Sequence, residues 1–438
     1  MHAALPDSDV IIVGGGPAGM VLALLFARQG VRVTVLEAAH DFDRMFRGDT
    51  LHPATLQLME TLGLIGELLT LPHTRAVSAR YIRPHRTQVL ADFSRLGGKY
   101  RYLAVMSQMH FLNFLHRALS RYPGARVEFG ARVQELLETG GQVRGVRYRQ
   151  GGAEQTLSAA LTVGADGRYS KTRALSGLPL LVLSPGQDVL WFSLPRQAGD
   201  PGGSIDLYVD GGHCVVATDH GERWQVGLSI PKGGYARSRE AGTAAVRRAV
   251  GAAMPWLAER LERLSEWSQL RLLSVEVSRL RRWHRPGLLL IGDAAHVISP
   301  IGGLGINMAI QDAVACANLL TGPLLQGALR PRHLAAVQRR RSWQIALLQA
   351  QQVIEEREVG SVVGDPQAIH VPVGLLRAVN RLPLLRRLPA YVTAYGLWPE
   401  RLAARWHPAR ADLAKTLAGG RGEGERQEHP VGGEASLI

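Results

Sequence analysis

Cysteine is scarce in this chain. Cys214 and Cys316 are the only two in 438 residues, they stand far apart, and neither has CxxC or His-rich company. A disulfide framework and a zinc site are therefore excluded as organising devices, and both thiols read as small buried hydrophobes. Long apolar runs are missing too. No stretch of about 18 consecutive apolar residues occurs, and the opening MHAALPDSDV has no basic n-region, so neither membrane spanning nor secretion has a signal. A cytoplasmic protein is expected. Lysine is rare: only Lys99, Lys171, Lys232 and Lys415 among 51 basic residues, arginine carrying the rest of a net charge of +14. The arginines are scattered through every segment, with no stripe interleaved with aromatics. They point to GC-rich codon usage and an affinity for an anionic small molecule, not to nucleic acid. With 46% hydrophobic residues, the chain is long enough for two or three well-buried cores.

What is present is glycine, placed where apolar strands end. Residues 291–307 read IGDAAHVISPIGGLGIN, and the helix-like MAIQDAVACANLL follows. The apolar run at 288–291 stops at Gly292-Asp293, and a helix is expected to start after the cluster of three glycines. Asp293 offers a carboxylate to hydroxyl groups. The amides of Gly302, Gly303, Leu304 and Gly305 sit at a helix N-terminus, which carries roughly half a positive charge and unpaired N–H donors and so favours an anionic partner.

Residues 9–37, DVIIVGGGPAGMVLALLFARQGVRVTVLE, parse as strand, glycine turn, helix, glycine stop and second strand. Gly14, Gly16 and Gly19 form G-x-G-x-x-G between strand and helix. The first permits the tight turn, the second lets the backbone approach a pyrophosphate, and the third packs helix on strand. Glu37 ends the second strand 23 positions after Gly14, where it can accept from a ribose hydroxyl. This predicts a dinucleotide-binding βαβ unit. Arg47 then stands in a loop leading to a helix from about Pro53 to Gly63, close enough to the second strand to reach cofactor phosphates or to be a plain surface arginine.

Alternation over 75–93 predicts two strands joined at Arg83-Pro84-His85, and 109–122 predicts an amphipathic helix. Three strand-like runs follow, the last ending in VGADGRYSKTR, where Asp166-Gly167 repeats the Gly292-Asp293 pattern. Residues 178–280 read as an antiparallel sheet with helices. Their position between the two Asp-Gly turns makes the nucleotide domain discontinuous. Trp191, Tyr208 and Trp224 in this insert are candidates to line a cavity for a flat substrate, beside the reading of plain core. Helix is expected again to about Leu320 and over 331–359. The leucine- and arginine-rich 373–396 is read as packing on the chain's own sheet in preference to a membrane surface.

Together these motifs resemble the class A FAD-dependent aromatic monooxygenases, the family with the p-hydroxybenzoate hydroxylase fold. VGGGPAG with Glu37 is similar to the ADP-binding fingerprint, GADGRYSKTR with Ser170 and Arg173 to the Asp-Gly motif, and IGDAAHVISPIGGLGINMAIQDA to the Gly-Asp motif. The resemblance implies an α/β fold: a discontinuous Rossmann-like FAD-binding domain (1–72, 100–177, 281–325) and an inserted, mainly antiparallel substrate domain (73–99, 178–280). A helical C-terminal region (326–418) and a disordered tail (419–438) complete it. It places Arg47 and Gln108 on the FAD phosphates and ribityl chain, and Gly292 and Asp293 on the ribityl or pyrophosphate linkage. Pro300, Gly302, Gly303, Leu304, Gly305, Ile306 and Asn307 would lie at the isoalloxazine. Asp166 would lie near the pyrophosphate and support reaction with NADH or NADPH, without a separate nicotinamide domain. The family often has arginine at the Gln108 position; glutamine still donates but brings no charge.

The implied chemistry is oxygen addition at flavin C4a, giving a hydroperoxide that hydroxylates a phenolic or polycyclic aromatic substrate. The partners are that small molecule and dioxygen. No catalytic acid or base and no metal site is named, His296 being read as a structural member of the flavin motif. A flavin halogenase would resemble WxWxIP, whereas this chain has VGLSIP ending at Pro231. A reductase or dehydrogenase acting on an unsaturated or prenyl substrate and a non-catalytic FAD-binding protein remain as alternatives.

Overall fold

The computed structural model describes residues 7–43, 50–210, 212–274, 276–362 and 387–403. Arg47, residues 373–386 and the tail from 419 lie outside them.

The strand Ser8–Val13 is almost wholly buried and rich in Val and Ile, the pattern of a parallel strand covered on both faces. It pairs in parallel with Val33–Glu37 on one side and with Ala153–Gly164 on the other. Leu288–Leu290 and Ala125–Phe129 extend this parallel core at its two sides. The long strand Ala153–Gly164 runs out of the core into an antiparallel meander with Gln142–Gln150 and Arg132–Thr139. Because the core strands end side by side, the turns after Val13, Gly164 and Leu290 open together at the carboxyl ends of the strands, where α/β folds bind ligands.

Pro17–Arg28 starts with proline at its first turn, where a missing N–H costs nothing, and its residues from Ala18 to Ala27 are buried. It packs on the 22-residue helix Leu304–Leu325, which is long and apolar enough to cross a bilayer but is mostly buried inside the protein. Small residues allow the close approach: a Cβ on Gly292 would lie 3.1 Å from Cβ of Ala309 and 3.6 Å from that of Ala18. Residues such as Ile12, Leu22 and Leu289 are fully buried in this core, and truncating one to alanine costs about 2–5 kcal/mol.

A second sheet has seven strands in the order Arg271–Ser274, Asp188–Pro195, Arg223–Ile230, His213–Asp219, Ser204–Asp210, Ser78–Arg83 and Arg86–Asp92. All its pairings are antiparallel except that of Ser204–Asp210 with Ser78–Arg83. The hairpin joining 83 to 86 turns through Pro84 and His85, and His85 is the only described non-glycine with positive φ, at 71°. Tyr235–Ala253 covers one face, broken at Gly242 with φ 72°. A small sheet of Thr50–Leu51, Leu103–Val105 and Thr74–Ala76 lies between these parts of the chain, and the helices Pro331–Val362 and Leu388–Tyr395 follow.

Candidate cofactor site

The three glycines of the first turn differ in what surrounds them. A Cβ on Gly14 would fall 2.5 Å from the Ala165 carbonyl oxygen, and one on Gly19 would fall 2.0 Å from that of Gly14. These two positions are closed by backbone. Gly16, the residue before the helix, has nothing within 4 Å of such a Cβ, leaving open space at a helix N-terminus where a phosphate can approach. Glu37 is buried, and its carboxylate accepts from Gly15 N–H at 2.7 Å and from Ala39 N–H at 2.9 Å. It therefore holds the turn.

The two Asp-Gly turns are tied to each other. Asp166 accepts from the Ser170 hydroxyl at 2.5 Å and from the amide and hydroxyl of Thr172 at 2.8 Å, fixing the start of Lys171–Ser176. From that helix Arg173 donates to the carbonyls of Asp293 and Ala294 at 3.1 and 3.2 Å and also to that of Arg168. Arg168 stands 3.5 Å from the Asp293 carboxylate, which stays 27% exposed and free to meet a hydroxyl-bearing ligand.

The helix after the glycine cluster begins where the sequence put its N-terminus, at the amides of Gly302 to Gly305. It starts at Leu304, inside the cluster, with Gly303 as N-cap at φ 64° and Gly302 at φ 80°. The left-handed conformation of both glycines turns the chain sharply enough for the helix to begin at once, and Gly303 N–H returns to the Pro300 carbonyl. Thr50 crowds this turn, since a Cβ on Gly303 would lie 2.5 Å from its hydroxyl. Asn307, in the second turn, is buried and accepts from the Thr55 hydroxyl at 3.3 Å, while its Nδ2 has no partner among the described residues. Gln108 is the buried first residue of Gln108–Leu119.

Behind the loop lies a buried charge cluster. Asp312 accepts from Gly292 N–H at 3.0 Å and from Arg341 Nε at 2.8 Å, and its Oδ2 lies 2.6 Å from His296 Nε2. Burial pushes the Asp312 carboxyl up, but His296 and Arg341 outweigh it and hold it below the ordinary range. His296 is 1% exposed and stacks at a tilt on Trp283, with its Nε2 turned to Asp312.

Comparison with known proteins agrees with this geometry. A family model described as FAD binding domain matches residues 7–351. A 6-methylpretetramide 4-monooxygenase of Streptomyces rimosus is 37% identical over 392 residues, which is 89% of this chain and 92% of the relative. The chain belongs to the class A flavin monooxygenases. Among solved structures, PqsL of Pseudomonas aeruginosa, described as a probable FAD-dependent monooxygenase, superposes with TM-score 0.69 at 24% identity over 84% of this chain and 99% of that one. The myxobacterial chondrochloren halogenase CndH has TM-score 0.70 at 20% identity over 90% and 98%, so the fold also carries halogenases.

The residues of this FAD-dependent monooxygenase fit its cofactor. Open space at Gly16 and buried, unpartnered donors at Asn307 Nδ2 and Arg168 Nη1 are what an absent polar ligand leaves behind. For two of the three aromatics read as either cavity lining or core, the structure shows core. Tyr208 and Trp224 point to the face covered by Tyr235–Ala253 and form core with Val246 and Val250. Trp224 also donates to Asp200 at 2.8 Å. Strand alternation puts Trp191 on the opposite face, its ring over Gly227 and its N–H unpartnered among the described residues. Thr50, His52, Thr55, Arg168, Asp312 and Arg341 were not singled out from sequence as site residues. Only Arg168 and Asp312 stood inside motifs, where they offered a signal.

Proposed function

We propose that this monooxygenase hydroxylates a phenolic or polycyclic aromatic compound, using NADH or NADPH as electron donor and one atom of dioxygen. The observation that carries the reading is the convergence of two helix N-termini, at Pro17 and Leu304, with the Asp166 and Asp293 turns at the carboxyl ends of the parallel strands. When bound, FAD supplies electron acceptance from the nicotinamide and oxygen activation at C4a. The chain supplies binding, orientation and charge. The positive end of the helix starting at Leu304 favours negative charge held there, as a reduced anionic flavin would bring. Asp293 would accept from ribityl hydroxyls, and Arg173 keeps that turn in register with the Asp166 turn. Glu37 would hold the ribose. Trp191, on the face of the second sheet away from its helix, is the aromatic best placed to meet a flat substrate.

The relative named for 6-methylpretetramide, at 37% identity, supports the polycyclic end of this substrate range. The halogenase reading is disfavoured because residues 226–231 are VGLSIP, without the tryptophans of WxWxIP. Nicotinamide oxidation with a panel of phenols and polycyclic aromatics, product masses being measured, tests the reading. Slow oxidation alone, faster oxidation with one class, and a product heavier by one oxygen are expected. No acceleration by any member of the panel, or products of unchanged mass, would overturn it.

A further inference from the structure

The family model ends at residue 351, yet the last described segment, 387–403, is bonded to the flanks of the glycine turn. Gln311 Nε2 donates to the Tyr395 carbonyl at 3.0 Å, and Gln57 Nε2 to the Tyr395 hydroxyl at 3.2 Å. Glu400 accepts from Arg340 through both oxygens, at 2.7 and 2.8 Å, and Asn318 pairs with the backbone of Arg401 and Ala403. This strap runs across the helix whose N-terminus is the glycine turn.

One side chain joins the strap to the turn itself. His52, N-cap residue of Pro53–Thr61, is fully buried, and its Nδ1 lies 2.7 Å from the Thr393 carbonyl. A carbonyl only accepts, so Nδ1 carries the proton of the neutral ring and Nε2 is a bare acceptor. Nε2 makes no hydrogen bond of ordinary geometry among the described residues, although the Gly303 backbone lies close enough to favour its protonation, and a Cβ on Gly303 would lie 3.8 Å from it. The imidazole thus fills the space between a carbonyl of Leu388–Tyr395 and the left-handed glycine.

We propose that His52 is a positioning residue for FAD, holding the Gly302-Gly303 turn through its bond to the Thr393 carbonyl, so that the strap at 387–403 is part of the cofactor site. The role rests on FAD occupying this turn, and it is independent of which compound is hydroxylated. Burial lowers the imidazole pKa to about 4, with the Thr393 and Gly303 backbones opposing, which keeps the ring in the neutral form the geometry requires.

The test uses the full-length protein, with FAD affinity and the visible spectrum of the bound flavin as readouts, neither of which involves a substrate. His52→Leu keeps the volume and loses the bond; His52→Asn keeps a donor at the Nδ1 position. His52→Leu is expected to raise the FAD Kd about tenfold and to shift the flavin absorption bands, with His52→Asn restoring most of both. Should His52→Leu not fold, Tyr395→Phe, which removes only the bond from Gln57, is expected to raise the Kd by a factor of about three. Wild-type affinity and spectrum in a folded His52→Leu, or in Tyr395→Phe where that variant is the one tested, would overturn the assignment. So would a His52→Asn protein no better than His52→Leu. A failed substrate panel alongside a raised Kd in His52→Leu would refute the hydroxylase reading and leave this one standing.

Discussion

Glu37 shows how much one side chain carries. Its carboxylate accepts two backbone amides, at 2.7 and 2.9 Å, and is the ribose partner in the proposed complex. Glu37→Ala removes a charged acceptor, and FAD binding is expected to weaken by about 1–3 kcal/mol, read from titration of the apoprotein. Unchanged affinity would place the ribose elsewhere. His52 gives a pH dependence whose sign follows from burial. The folded state resists protonation until about pH 4, whereas the unfolded chain takes the proton near the ordinary value of 6.5. Stability attributable to this residue is therefore complete above pH 6.5 and falls as the pH drops toward 4, by about 3 kcal/mol in all. Denaturant unfolding at pH 7 and pH 4.5 is expected to show a shallower decline in His52→Asn than in wild type. Equal declines would contradict the burial argument.

At the scale of elements, glycine positions that look alike in sequence separate by their surroundings. Gly19→Ala would drive a Cβ to 2.0 Å from the Gly14 carbonyl and is expected to lower both the melting temperature and FAD affinity. Gly16→Ala meets no neighbour within 4 Å, so the fold is expected to melt as wild type while FAD affinity falls, because the methyl occupies the phosphate's approach. Retained affinity in a folded Gly16→Ala protein would mean that no phosphate comes there. This turn was legible because its spacing is local: strand, glycines and helix lie within one βαβ unit. The hairpin through Pro84 and His85 was legible for the same reason. What was not legible is that Thr50, some 250 residues away, closes over Gly303, its hydroxyl donating to the Gly303 carbonyl at 3.4 Å. Nor could alternation alone show that Tyr208 and Trp224 face Tyr235–Ala253, because period-two patterning separates two faces of a strand without saying what covers each.

In the whole molecule, Leu304–Leu325 is the element on which other parts converge. Its N-terminus closes the glycine turn, it packs on Pro17–Arg28, and its Asp312 anchors Gly292, Arg341 and His296. The second sheet supplies Trp191 on one face and shields its own core with Tyr235–Ala253 on the other. Such a frame fixes a cofactor and leaves chemistry to it, so the decisive question is the fate of oxygen. Turnover under labelled dioxygen, with NADH or NADPH and the accepted aromatic compound, measures it directly. One labelled atom per product molecule is predicted, with Asp293→Ala losing turnover through loss of FAD and His296→Ala losing less. A saturated, unlabelled product formed equally well without oxygen would contradict the hydroxylase account and identify a reductase.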